Sequence, residues 1–275
     1  MDSAIAVVIV CHNSQQDLGQ CLAALDAGTV QPACTCIVDC GSDSTAYFDE
    51  LALRPATLLI REANIGYGRG NNRGFAALSE KIPYVLFLNP DCFVHTTTLA
   101  QAVQVLAENQ QTGCVGARLA GYDRASGQAS GLLDSTGIVR RWYGRWYDRG
   151  QGEADVQQYM TPEEMPALCG AFLFCRRSAL EGVALAPGLV FDPAFFMYKE
   201  DIELCLRLRA AGWSVLYHPH VQAWHCRGWQ KNRQAMPHHL RLMAAANEVR
   251  LYRRHPSLYI LWAVAKYLLV RYGRV

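Results

Sequence analysis

No CxxC pair occurs anywhere in the 275 residues. The eleven cysteines are odd in number and sit largely in apolar runs, around Cys36, Cys114, Cys175 and Cys205, so they read as small reduced hydrophobes rather than a disulfide framework. Cys34 with Cys36, and the cluster of His218, His220 and His225, match no standard spacing for structural zinc. The GK[ST] ending of a P-loop is missing, and no strand-GxGxxG-helix unit followed by an acid supports a Rossmann dinucleotide site. The start, Met1-Asp2-Ser3, lacks a basic leader region and a small-residue cleavage site. The apolar stretch 4–10 is therefore expected to be a buried strand, in a chain that stays in the cytoplasm. Internal repeats and low-complexity stretches are absent as well. With 51% hydrophobic and 18% charged residues, the chain can bury a full core. We expect one compact domain over residues 1–233 and a C-terminal appendage over residues 234–275.

Acid is scarce in the last quarter. Residues 207–275 hold 12 Arg and Lys against the single acid Glu248, leaving 14 basic and 23 acidic residues before them, so a net charge of +2 divides into +11 and −9. That asymmetry aims the tail at an anionic surface. Within it, residues 258–270 (LYILWAVAKYLLV) are apolar except for Lys266 and are bracketed by Arg253, Arg254, Arg271 and Arg274. The run is shorter than the ~20 residues needed to span a bilayer. It fits a helix lying in the membrane interface, and it also fits a last helix packed on the domain or on a second copy. The interleaved Leu, Trp and Ile suit lipid better than a platform for nucleic-acid bases.

The first half alternates short apolar runs with helical patterns. Strands are expected at 4–10, 34–39, 56–61 and 84–88, and helices at 18–25, 45–51, 71–80 and 97–108. Such alternation predicts an α/β fold with a mostly parallel central sheet flanked by helices, whose working edge lies at the C-terminal ends of the strands. Residues 121–165 break into Gly, Asp, Arg and aromatics and read as an excursion of loops and short strands. The sheet resumes at 171–175, followed by a helix over 202–211 and a strand over 214–217.

Polar groups gather where those strands end. After strand 34–39 comes DCGSDST: Asp39 can accept from a pyrimidine N–H or a ribose hydroxyl, and a plain turn with a helix cap explains the same residues. NIGYGRGNNRG, residues 64–74, is dense in Gly and Asn ahead of a helix, so its backbone amides and Arg69 could approach a diphosphate closely. YVLFLNPDC then places Asn89, Pro90 and Asp91 at a strand end, a rigid mount for a carboxylate holding a divalent cation, Mg²⁺ or Mn²⁺, that also binds phosphate oxygens. Glu200 and Asp201 stand at a helix start behind the aromatic residues Phe195, Phe196 and Tyr198. There an ionised carboxylate can act as general base, or simply cap the helix. His225 can supply a neutral imidazole to a metal, whereas His218 and His220 read as surface or core residues. Arg227, Lys231 and Arg233 could meet donor phosphates or an anionic acceptor, or line a solvated basic loop.

The ordered set HNS, DCGSDS, NIGYGRGNNRG, LNPD, CGAFLFCRRSAL, FFMYKEDIELCLRLRAAGW and WH resembles the family-2 glycosyltransferases with the GT-A fold. It is most similar to the branch of bacterial rhamnosyltransferases that use dTDP-L-rhamnose, over residues 4–233, with the insert STGIVRRWYGRWYDRGQGE similar too. The resemblance implies that Asp39 contacts the donor base and that Asp91 takes the last place of a DxD-type metal motif. It further implies that Asp201 of the Glu200-Asp201 pair is the base, that His225 completes the metal site, and that Asn64, Gly66, Asn72 and Gly74 line the donor pocket. Two positions depart from the family pattern: Asn89 replaces the first acid of the common DxD, and Cys40 replaces the Asn that often follows the first-motif Asp. The implied reaction is a single inverting displacement that moves a sugar from a nucleotide-diphosphate donor to a cell-envelope glycan or glycolipid at the inner face of the cytoplasmic membrane. Two rivals are a non-catalytic nucleotide-sugar or carbohydrate-binding module and a sugar-1-phosphate nucleotidyltransferase. The second would want a basic Gly-rich loop where CHNSQQDLGQ stands.

Overall fold

A computed structural model describes residues 5–226 and 236–273. In chain order these form β1 (Ile5–Cys11), α1 (Leu18–Asp26), β2 (Cys34–Cys40), a 3₁₀ turn (Ala46–Glu50), β3 (Thr57–Glu62), α2 (Tyr67–Ala77), β4 (Tyr84–Leu88), β5 (Cys92–Val94) and α3 (Thr98–Glu108). There follow β6 (Thr112–Asp123), β7 (Gln128–Ser135), β8 (Ile138–Arg140), β9 (Trp146–Asp148), β10 (Glu163–Glu164), β11 (Phe172–Arg176) and α4 (Arg177–Gly182). The chain closes with α5 (Glu200–Ala210), β12 (Ser214–His225), α6 (His238–Arg254) and α7 (Ile260–Tyr272).

A ten-stranded sheet follows the path β10-β12-β6-β11-β4-β1-β2-β3, with β5 paired to β12 and β7 to β6 beside that path. β3, β2, β1 and β4 pair in parallel, β11 runs against both β4 and β6, and β12 lies parallel to β6. It follows that β3, β2, β1, β4, β6 and β12 all point one way. β1 reads IAVVIVC and is buried at every position, as a central parallel strand covered on both faces must be. All eleven cysteines are free, and all but Cys34 are buried.

Two expectations are corrected. Residues 64–74 are not a loop ahead of a helix, because α2 begins at Tyr67 and takes in most of that segment. Its glycines serve close approach: a Cβ on Gly70 would lie 2.8 Å from Val10 Cγ1, and one on Gly74 only 2.4 Å from Val8 Cγ1. The helix thus rests on the sheet more tightly than any side chain allows, which offsets the ~1 kcal/mol that glycine costs in a helix. Likewise the strand expected at 214–217 continues unbroken in pairing sense to His225, accommodating Pro219 through a register irregularity between His218 and Gln222. Among the described residues no helix is long and apolar enough to cross a membrane.

Candidate active site

Because six strands point the same way, their C-terminal ends share one edge of the sheet. That edge collects His12 and Asn13 after β1, the Asp39 turn of β2, Asn89 to Asp91 after β4, Arg124 after β6 and His225 at the end of β12. β11 enters from the same edge, and Asn89 N donates to Ala171 O at 3.0 Å. One residue earlier, Gly170 N donates to Asp201 Oδ2 at 2.9 Å. Two adjacent backbone groups therefore tie the Asp91 segment and Asp201 to a single spot.

On the β4 side, His225 lies between two carboxylates. Its Nε2 is 3.3 Å from Asp91 Oδ1, and its Nδ1 is 2.8 Å from Asp134 Oδ2. Burial by itself would depress the imidazole, but the hydrogen bonds to Asp134 and Asp91 outweigh it and raise His225 to about 9. Burial would likewise raise Asp91, yet His225 and then Arg124 hold it below the usual carboxylate range. Arg124 Nη2 reaches Asp91 Oδ2 at 3.2 Å while Nε and Nη2 grip Asp17 at 2.6 and 2.8 Å.

Across the edge, Asp201 is the half-exposed member of the carboxylate pair and Glu200 the buried one. Asp201 Oδ1 accepts from Ile202 N at 2.8 Å, so the open first turn of α5 stabilises its charge. Desolvation nevertheless raises Asp201, and it raises Glu200 to about 8 with the help of the neighbouring Asp201 charge. Ahead of the pair, Tyr198 and Lys199 are both left-handed, with φ of 73° and 77°. Two such residues in succession cost on the order of 1–3 kcal/mol each and persist only where other contacts impose them. Here α6 imposes them: Asn247 Nδ2 donates to Met197 O at 2.9 Å and to Tyr198 O at 3.0 Å.

On the β2 side, Asp39 is buried and its Oδ1 takes both the hydroxyl and the backbone N–H of Ser42. Asn13 bridges from the first loop to Ser42 and Asp43. Gly41 (φ 70°) lets Asn64 N approach to 2.7 Å from where a Cβ would sit, so Asn64 adjoins the Asp39 turn. Gly66 (φ 84°) starts α2 against Phe196, and Tyr67 N donates to Phe196 O at 2.8 Å. Arg69 is exposed and its Nε donates to Pro193 O. Asn72 and Gly74 are turned away from this edge. Asn72 exchanges two 2.8 Å hydrogen bonds with the Phe191 backbone, and Gly74 lies on Val8, so both serve packing rather than a ligand cavity. Arg227, Lys231 and Arg233 lie outside the described residues.

Residues 3–245 match the family described as Glycosyltransferase like family 2. The chain belongs to that family. The transferase is 27% identical over 253 residues, 86% of its own length and 81% of theirs, to the N-acetylglucosaminyl-diphospho-decaprenol L-rhamnosyltransferases of two Mycobacterium tuberculosis strains, CDC 1551 / Oshkosh and ATCC 25618 / H37Rv. Among solved structures it is similar to GalNAc-T7 with UDP, GalNAc and Mn²⁺ (TM-score 0.68, 17% identity, 90% of this chain and 47% of that one). It therefore spans about half the length of that protein. It is also similar to the mannosyltransferase PcManGT of Pyrobaculum calidifontis in complex with GDP-Man and Mn²⁺ (TM-score 0.60, 17% identity, 98% of this chain and 70% of that one). The fold is GT-A.

Asp91 and His225 offer this transferase one carboxylate and one imidazole side by side. Without a metal the ring bridges the two carboxylates as an imidazolium; a divalent cation beside Asp91 would take the place of the Nε2 proton, while Nδ1 stays hydrogen-bonded to Asp134. Such a set fits a divalent ion that keeps open positions for diphosphate oxygens. Among the described residues no group of three or more His, Cys, Asp or Glu side chains is placed to cage a metal. Asn89 adds a side-chain oxygen that is buried without a hydrogen-bond partner among the described residues. Sequence reading missed Asp134, Arg124, Asp17 and Asn247. Asp134 alone carried a signal, since a carboxylate inside the apolar run GLLDSTGIV needs a buried partner.

Proposed function

We propose that the enzyme transfers L-rhamnose from dTDP-L-rhamnose, with inversion, to a hydroxyl of a lipid-linked cell-envelope glycan, such as a polyprenyl-linked O-antigen intermediate or lipopolysaccharide core. It would work as a peripheral protein at the inner face of the cytoplasmic membrane. One observation supports this reading: the Asn89–Ala171 and Gly170–Asp201 hydrogen bonds bring the Asn89-to-Asp91 segment and Asp201 to one strand edge. The rhamnosyltransferase relatives support the choice of sugar and of a lipid-linked acceptor.

In this reading Asp39 accepts from the donor base, and Asn64 with Gly66 bounds the nucleotide. The half-exposed Asp201 carboxylate takes the proton of the acceptor hydroxyl as that oxygen attacks the anomeric carbon from the face opposite the diphosphate. The bond from anomeric carbon to diphosphate oxygen breaks, and the nucleoside diphosphate departs with its electron pair. A Mg²⁺ or Mn²⁺ ion held by Asp91 and His225 would neutralise charge gathering on that leaving group. Asp134 fixes the imidazole, and the rigid edge holds the reacting groups in line.

Thermal shift against dTDP-, UDP- and GDP-sugars with Mn²⁺ tests the donor. A true donor at a hundred times its dissociation constant stabilises by about 2.7 kcal/mol. Equal or larger shifts with UDP- or GDP-sugars would remove the rhamnosyl assignment.

A further inference from the structure

Helix α7 leaves one face bare. Leu261 is 72% exposed, Leu268 47% and Tyr272 71%, with Val264 also exposed, at the three- and four-residue steps that align side chains along one side of a helix. Lys266, the only charge in the apolar run, points the other way: two residues from both Val264 and Leu268, it lies about 200° around the helix. There it pairs with Glu248, which is fully buried on α6. The bare face is also firmly held. His238 Nε2 meets Val270 O at 2.9 Å where the N-terminus of α6 meets the end of α7, and Tyr252 and Tyr259 adjoin at the other end with ring centres 6.0 Å apart.

The hairpin between β8 and β9 extends this face. Trp142 is 85% exposed at its tip and stacks edge-on against Tyr143, whose ring in turn meets Trp262 of α7 at 4.8 Å. Exposed Arg140 and Arg141 immediately precede the tryptophan, their guanidinium groups over the rings of Tyr259 and Tyr147, and exposed Arg271 closes the far end of the helix over Tyr267 and Tyr272. From residue 236 to residue 273 the only acid is the buried Glu248, so neither helix shows a carboxylate to the outside.

We propose that this stripe, with Trp142, docks on a membrane surface rich in anionic phospholipid. Apolar side chains in a row enter the headgroup boundary, an indole anchors one end, and guanidinium groups at both ends meet phosphates. A second copy of the chain would have to bring carboxylates to match those arginines, and this face has none to offer in return. Docking also sets orientation. Glu248 links α7 to α6, and Asn247 next to it holds the turn ahead of Asp201, so a docked α7 is tied through α6 to the segment that carries the candidate base. This surface stands independent of which sugar the enzyme carries.

Co-sedimentation with phosphatidylglycerol-containing vesicles, against phosphatidylcholine vesicles as control, tests it. The full chain binds the anionic vesicles preferentially, its tryptophan emission shifts to the blue, and Trp142→Phe loses part of that shift. Leu261→Asp with Leu268→Asp weakens binding by about tenfold or more while thermal stability and donor binding in solution are retained. Equal binding by the double variant, or no binding by the parent chain, overturns the proposal. A parent dimer in gel filtration that the double variant dissolves, without vesicle binding, assigns the face to a second copy instead. Donor thermal shifts measured without lipid keep this outcome separate from the rhamnosyl reading.

Discussion

Asp134, fully buried at the end of β7, holds Nδ1 of His225 at 2.8 Å and leaves Nε2 facing Asp91 at 3.3 Å. The relationship spans 91 residues and fixes the ring so that Nε2 would face a cation bound beside Asp91. Asp134→Asn keeps the size but weakens the hold on the ring. We expect Mn²⁺ affinity to fall about 10- to 100-fold, read by metal titration in calorimetry. Asp91→Ala should weaken donor binding only when the metal is present.

Asp201→Asn removes the proton acceptor and keeps the side-chain size, though its single amide oxygen can accept from only one of Gly170 N and Ile202 N. Turnover should fall by about a hundred- to ten-thousandfold, with donor affinity in calorimetry retained. An unchanged rate would take Asp201 out of the role.

Glu200 and Asp201 both bind protons more tightly in the folded chain than an ordinary carboxylate does. The unfolded chain gives up those protons at lower pH, so the stability associated with them is present in acid and is lost as pH rises from the usual carboxylate range to about 8 for Glu200. Melting temperature measured against pH should show this decline, and Glu200→Gln should flatten it. Turnover runs the other way, rising with pH as Asp201 is deprotonated, and its acidic limb should survive in Glu200→Gln.

Gly74→Ala separates packing from ligand binding. The new methyl group would meet Val8 Cγ1 at 2.4 Å, so we expect a loss of about 1–3 kcal/mol in chemical denaturation. The donor KM should stay as it was, because Gly74 faces the sheet.

Asn247→Ala leaves the carbonyls of Met197 and Tyr198 without their donor. A stability loss of about 1–3 kcal/mol is expected, together with a lower kcat, as the left-handed turn relaxes and Asp201 moves. Asn247→Gln, whose amide can still donate, should recover part of the rate.

The strands of the first half and their parallel pairing were legible in the sequence, because periodicity and strand-end polarity are local signals, whereas β5, β6 and β7 were not expected. Asp91 and His225 could be singled out from their places after apolar strands, and the structure sets their side chains 3.3 Å apart. The segment 64–74 was misread, since glycine normally breaks helices and only contact with Val8, Val10 and Cys40 shows why α2 tolerates it. Arg124 and Asn247 were hidden, and the partner of Asp134 with them, for a different cause. Each acts on a group 33 to 91 residues away, so its role exists only once the chain has folded.

The grip of Asn247 on Tyr198 carries a temporal consequence. The loop it clamps is made by the ribosome about fifty residues before the clamp itself. A nascent chain could complete the sheet and still hold its base out of position until α6 clears the exit tunnel. The turn ahead of Asp201 should therefore reach its final shape only after α6 has been made.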